Sequence, residues 1–177
     1  VVSERRQLGL GQFGAYAEAR VFFAPTDWTV GWALSFERSL TDWLAATVDV
    51  AVERSEVDVR NGRAEIDLAS GSFALLGQAE TRRLAVRGGA GARVGTARIQ
   101  GVPDAGSGLA GDRVTGVWGG PLVELRVDFP KRSTTSLSLR AEVGWALASV
   151  RGLENGQLAV GVDDLWSAVS VGLSIRL

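Results

Sequence analysis

The feature that most constrains this chain is a two-residue alternation in which one set of positions carries no charge. In the first such segment Phe13, Ala15, Ala17, Ala19, Val21 and Phe23 alternate with Gly14, Tyr16, Glu18, Arg20 and Phe22. A period of two marks a strand, because successive side chains leave a pleated backbone on opposite faces. Seven further segments repeat the pattern: Trp28–Glu37, Leu44–Glu53, Ser72–Glu80, Leu84–Gly95, Val117–Asp128, Leu137–Leu147 and Ala168–Leu177. Helical spacing is hard to find, and no apolar run approaches the roughly eighteen residues that a membrane helix needs. The chain is therefore expected to be all-β, with about eight strands.

Two kinds of connection separate these segments. Tight turns are expected at Arg38–Asp42, Thr81–Arg83 and Pro130–Thr134, and long Gly- and charge-rich loops at Ser55–Gly71, Gln100–Thr115 and Arg151–Asp164. Short and long alternate after the second strand, as a closed antiparallel up-and-down barrel requires when one rim carries turns and the other loops. The first connection, Ala24-Pro25-Thr26-Asp27, is short where a loop is due. Pro121 falls in mid-strand, where a missing N–H demands a bulge, and Gly119-Gly120 beside it supplies the freedom for one.

Alternation alone leaves the inside and outside faces undecided. The second face settles the expectation. It is not the Lys- and Thr-rich surface of a solvated sheet, but Gly, Ala and Ser interrupted by acids and arginines. Small residues relieve crowding inside a narrow barrel, and mixed-sign charges neutralise one another there. A Lys or Arg at a bilayer midplane costs about 2–4 kcal/mol, so a face without charge is what lipid demands. Aromatic residues on that face are expected to form interfacial girdles, with Phe23, Trp28 and Phe73 toward one rim and Phe13, Phe36 and Phe129 toward the other. The reading is a transmembrane β-barrel formed by a single domain over residues 1–177. Val1 to Leu10 are either a lead-in or the end of an additional strand. The chain starts Val1-Val2-Ser3 and holds no methionine, which fits a cleaved signal peptide or a trimmed chain.

Composition narrows the chemistry. There is no cysteine, so neither a disulfide nor a thiolate metal site is available. There is no histidine, the commonest general base and metal ligand. A serine without such a base is inert at neutral pH, and no enzymatic activity is expected. Asp163-Asp164, Glu65 and Asp67 read as solvated loop charge rather than calcium ligands, and no cofactor or metal is expected. A net charge of −1 gives no reason to expect nucleic acid as a partner. The constellation that remains lies on the charged face: Glu18, Arg20, Glu53, Arg87, Arg93, Glu124, Arg126, Arg140 and Glu142 are expected to form a network of ion pairs in the lumen.

The whole pattern resembles the small eight-stranded outer-membrane barrels, the OmpA/OmpX-like group, over nearly its entire length. The last segment, Ser170-Val171-Gly172-Leu173-Ser174-Ile175-Arg176-Leu177, resembles the C-terminal β-signal of outer-membrane proteins. Its pattern is a polar Ser170, then Gly172, then hydrophobic Ile175 and Leu177 where the group usually has aromatics. The resemblance implies a location in the bacterial outer membrane, with membrane lipid and the outer-membrane assembly machinery as partners. It also implies that the lumen charges are similar to the ion-pair gate of that group, although no position is matched individually. Three functional classes follow. The first is a structural or surface-interaction barrel whose lumen is plugged and whose loops face outside. The second is a narrow channel gated by the lumen ion pairs, and the third a soluble lipocalin-like barrel that binds a hydrophobic ligand. The first is preferred, because eight strands leave a lumen that side chains fill.

Overall fold

The computed structural model describes residues 11–23, 26–60, 62–81, 83–105, 111–130, 133–154 and 157–177. It is a closed barrel of eight antiparallel strands in chain order. The strands are β1 (Gln12–Phe23), β2 (Thr26–Ser39), β3 (Leu44–Val59), β4 (Gly62–Glu80), β5 (Ala85–Pro103), β6 (Arg113–Phe129), β7 (Thr135–Glu154) and β8 (Gln157–Arg176). Closure comes from pairing of β1 with β8, from Gln12 opposite Arg176 to Phe22 opposite Trp166. Among the described residues no helix is long and apolar enough to cross a membrane, which says nothing about a barrel that crosses with strands.

The uncharged face points outward. Trp32, Leu34, Val50, Val52, Val123, Leu125, Leu139 and Val169 are all exposed, while Glu18, Arg20, Asp49, Arg93, Arg126 and Arg140 are buried inside. This arrangement overturns the lipocalin-like alternative for the part of the barrel that carries the band, since its apolar face is not a core. Trp28 and Phe23 lie at the outer edge of the uncharged band, and Phe13 and Phe129 at the opposite edge. Phe73 departs from the expected girdle. It is exposed on the outward face, but six residues of strand, about 20 Å, separate it from Asp67, the first outward charge on β4.

Where the long loops were expected, at Ser55–Gly71 and Arg151–Asp164, the described residues other than Arg60 are instead strand. The ladder between β3 and β4 runs unbroken from Leu44–Gly77 to Val59–Gly62, and that between β7 and β8 reaches Glu154–Gln157. Only residues 104–112 separate β5 from β6, a shorter break than the loop expected at Gln100–Thr115. β7 and β8 have 20 residues each, roughly twice the 9–11 that a tilted strand needs to cross a bilayer. The strands therefore continue well beyond the band. β1 and β2 do not, ending at Phe23 and Thr26, so the outer part of the wall is built from β3 to β8. At this unequal edge the Asp27 carboxylate accepts the Gly161 N–H at 3.0 Å, pairing a donor of β8 that has lost its strand neighbour.

Of the first connection, Thr26 and Asp27 already belong to β2, and Ala24 and Pro25 lie outside the described residues, as do Val1 to Leu10. The bulge expected beside Pro121 is present: the β6–β7 register shifts between Gly119 and Leu122. Gly119 has φ +145°, and a Cβ there would meet the Arg93 carbonyl oxygen at 2.2 Å, so only glycine fits. Trp118 points inward on the same parity as Leu122 and Glu124, and Gly119 beside it is buried.

Candidate functional site

All nine charged residues expected in the lumen are there and buried, and each takes part in at least one ion pair. Alternation explains the placement, because Glu18 and Arg20, Arg87 and Arg93, Glu124 and Arg126, and Arg140 and Glu142 occupy inward positions of β1, β5, β6 and β7. The contacts join into one connected structure. From the rim that carries the tight turns, Arg87 contacts Asp128 and lies 2.9 Å from Glu37, and Glu37 lies 3.4 Å from Arg126. Arg126 lies 2.8 Å from Glu124 and 3.6 Å from Asp49. Arg140 then holds Asp49 at 2.8 Å and Glu142 at 3.3 Å, and also contacts Glu18. Glu18 contacts Arg20, which lies 3.1 Å from Glu53, while Arg93 donates to both oxygens of Glu142 at 2.9 Å.

Three members were missing from the expected set: Glu37, Asp49 and Asp128, each in ion-pair contact with at least one lumen arginine. Their signal was the same inward parity that picked out the other nine. Hydroxyl and amide groups complete the shell. Ser170 donates to Glu18 at 2.8 Å, Ser72 to Asp49 at 3.0 Å and the Gln12 amide to Asp128 at 3.1 Å. Such additional hydrogen bonds are what allow buried ions to persist despite the cost of leaving water.

Aromatic faces cover the arginines. The Arg20 guanidinium lies 4.4 Å from the Trp166 ring centre and 5.4 Å from that of Trp118, and Arg140 lies 5.1 Å from Tyr16. Cations held at such distances over desolvated rings are attracted by the ring quadrupole. Tyr16 needs Gly14 beside it, since a Cβ at Gly14 would meet the ring at 2.5 Å. Phe22, Trp118 and Trp166 stack edge to face, with centres 5.6 and 6.1 Å apart. Beyond them toward the long end the inward residues become apolar: Leu68, Ile66, Ala97, Ile99, Val150, Val160 and Val162.

Carboxylate oxygens of Asp49, Glu124 and Glu142 come within 4.8 Å of one another. That spacing would suit a cation, but Arg126 and Arg140 already stand among these groups, so the charge is met by guanidinium nitrogens rather than by an open oxygen cage. Glu65 and Asp67, expected in a loop, lie on β4 opposite Arg54, with Arg54–Glu65 at 3.1 Å. Asp163 pairs with Arg151 and Asp164 is exposed. At the chain end Ser170 faces the lumen, Ile175 and Leu177 face outward, and Gly172 lies opposite Tyr16 in the β1–β8 ladder.

No protein-family model matches the chain, and no curated protein matches it in sequence. Solved structures do match in shape. A major outer membrane protein from Thermus thermophilus superimposes with a TM-score of 0.64 at 12% identity, covering 93% of this chain and 99% of that one. The chain has the fold of the small outer-membrane β-barrels. Ail, the attachment invasion locus protein of Yersinia pestis, gives a TM-score of 0.59 at 14% identity, covering 94% of this chain and 99% of its own. OprG of Pseudomonas aeruginosa gives 0.56 at 17%, covering 96% and 97%. At these identities the likeness speaks for the fold. The barrel's own surface carries the location: a continuous uncharged outward band fits lipid, and this fold with that band places the chain in a bacterial outer membrane.

Proposed function

We propose that this barrel is an integral outer-membrane protein of structural or surface-interaction type, its lumen plugged by the arginine–carboxylate network and its long strand extensions standing outside. The single observation that carries the reading is the connectedness of the network, which links all five lumen arginines from Arg87 to Arg20 and Arg93 through shared carboxylates. To open a water path through it, several buried pairs would have to break together, and each break leaves charges unpartnered. The reading includes no catalytic step. What supports that part is the chain's lack of histidine and cysteine, and the commitment of its buried carboxylates to guanidinium partners.

Outside the membrane the extensions carry both signs of charge, with Arg54, Arg63, Arg98 and Arg151 among Glu56, Asp58, Glu65 and Asp67. Ail is crystallised with the heparin analogue sucrose octasulfate. The mixed charge here favours a protein or glycan partner of low net charge over a polyanion. The terminal pattern Ser170, Gly172, Ile175 and Leu177 is proposed as the signal read by the assembly machinery. Its test is assembly of the Leu177→Asp variant in cells, beside refolding of the same variant in detergent: assembly should fall while refolding is kept if the segment is read, and stay unchanged if it is not. The central test of the plug is conductance. Barrel refolded into planar bilayers should show no stable open level, and Arg140→Ala should introduce one; a wild-type protein that conducts steadily would establish the gated-channel reading instead.

A further inference from the structure

Beyond the aromatic layer the outer part of the barrel holds a cavity of about 350 Å³ that none of the lumen chemistry explains. Its walls come from six strands, with Val59 of β3, Ala64 of β4, Ile99 of β5, Val114 of β6, Leu153 of β7 and Val160 of β8. Three of these, Ala64, Ile99 and Val160, are buried members of the outer apolar core, so that core floors the cavity, which opens to the outside past the exposed Arg63, Arg151 and Leu153. It lies beyond the first outward charges Arg54, Asp67 and Arg98 on the same strands, hence in the aqueous part of the molecule. The valine, alanine, isoleucine and leucine side chains of these walls offer water none of the two to four polar partners it needs.

We propose that this cavity binds a small uncharged apolar molecule from the outside medium. Its size falls at the lower end of the range of ligand pockets, about 300–1,000 Å³. The charges at its mouth argue for a neutral occupant. Arg151 is held by Asp163, and Arg63 lies 3.8 Å from Glu56 and 3.9 Å from Glu65, with Asp112 also at the rim. Among the described residues, both arginines that line this mouth face carboxylates, which leaves neither to seat an anionic head group. Inward, Phe22, Trp118 and Trp166 close edge to face over the ion-pair network, so the molecule is held at the outer end and not passed through the lumen. The proposal stands whether or not the lumen conducts.

The test is photolabelling of the refolded barrel in lipid nanodiscs with trifluoromethyl-phenyl-diazirine, a neutral aromatic probe, followed by peptide mapping. Label that saturates on the segments containing Ile99–Val102 and Val160, above the unsaturable label of the lipid band, is expected. Ala64→Phe and Val59→Trp each fill the gap from a different strand. Val59 is only partly buried near the tip of β3, so a folded barrel is expected for Val59→Trp even if Ala64→Phe is poorly tolerated. In every variant that keeps its boiled-versus-unboiled shift, cavity label should be lost while label at Val123 and Leu125 is retained. Label confined to the lipid band, or cavity label that fails to saturate or survives both substitutions, overturns the proposal.

Discussion

The two ends of this barrel are built on opposite rules. In the membrane part the wall is apolar outside and charged inside; in the outer part it is charged outside and apolar inside. β4 shows the change within one strand. Near its membrane end Phe73 and Leu75 face out while Ser70 and Ser72 face in, and toward its tip Arg63, Glu65 and Asp67 face out while Ala64, Ile66 and Leu68 face in. The backbone ladder runs through the change without a break. What differs is the surrounding solvent. Lipid offers the outward side chain no hydrogen bonds, so polar groups gather inside and pair; water does, so the ordinary burial of apolar surface takes over. The fold thus joins an inverted barrel to the edge of a soluble-type one, with Phe22, Trp118 and Trp166 at the join.

The comparison is tested most severely where charge is buried. Arg140 meets Glu18, Asp49 and Glu142 at once. Arg140→Ala leaves these carboxylates short of a partner, and the loss is expected to be about 3–5 kcal/mol. It should be visible as a large drop in the urea midpoint of the barrel refolded in detergent or vesicles. A midpoint unchanged by this substitution would mean that the inner charges are hydrated, and the inverted half would not exist as described.

Next in size is a charge placed on the outward face. Val50→Arg, in the middle of the uncharged stretch of β3, should cost about 2–4 kcal/mol in vesicles. Ser149→Arg, exposed on β7 toward its outer end, should stay within about 0.5 kcal/mol of the unmodified protein. Equal costs at the two positions would remove the boundary between the halves. A smaller effect is expected from Ile66→Val, which thins the outer core by one methylene and should cost about 0.5–1.5 kcal/mol. It should show as faster proteolysis of the β3–β4 extension, with the gel shift of the membrane part unaltered.

This division also explains what could be read from the sequence. Eight strands and the nine lumen charges followed from parity, since one parity stays uncharged throughout the membrane part. At Ser55–Gly71 the parity that had been apolar becomes charged: Val48, Val50 and Val52 give way to Arg54, Glu56 and Asp58 on the same outward face. A search that holds the apolar face constant sees the pattern dissolve and reads a loop. The strand had not ended; the medium around it had changed. Glu37, Asp49 and Asp128 lay on the correct parity and needed only to be counted with the rest. The aromatic cover of the arginines was less legible, because Trp166 comes to Arg20 from β8, a strand next to β1 in the barrel but far from it in sequence, whereas Trp118 lay on the inward parity with Leu122 and Glu124.

The smallest predicted effect is also the sharpest comparison, because it uses the same chemistry on the other side of the wall. Arg54 is paired with Glu65 at 3.1 Å, a contact no longer than several in the lumen, yet its side chain is 60% exposed. In water most of the Coulomb attraction is screened, and holding two long side chains together costs conformational freedom. Arg54→Ala should therefore cost less than about 1 kcal/mol, and the difference should shrink further as salt is raised. Arg140→Ala should remain costly at both salt concentrations, since the ions around it are out of reach of the screening cloud. Urea unfolding of both variants at low and high salt reads the two values side by side. If Arg54→Ala were as costly as Arg140→Ala and equally insensitive to salt, the outer wall would not be solvated. The exchange of faces along β3 and β4 would then need a cause other than the medium they stand in.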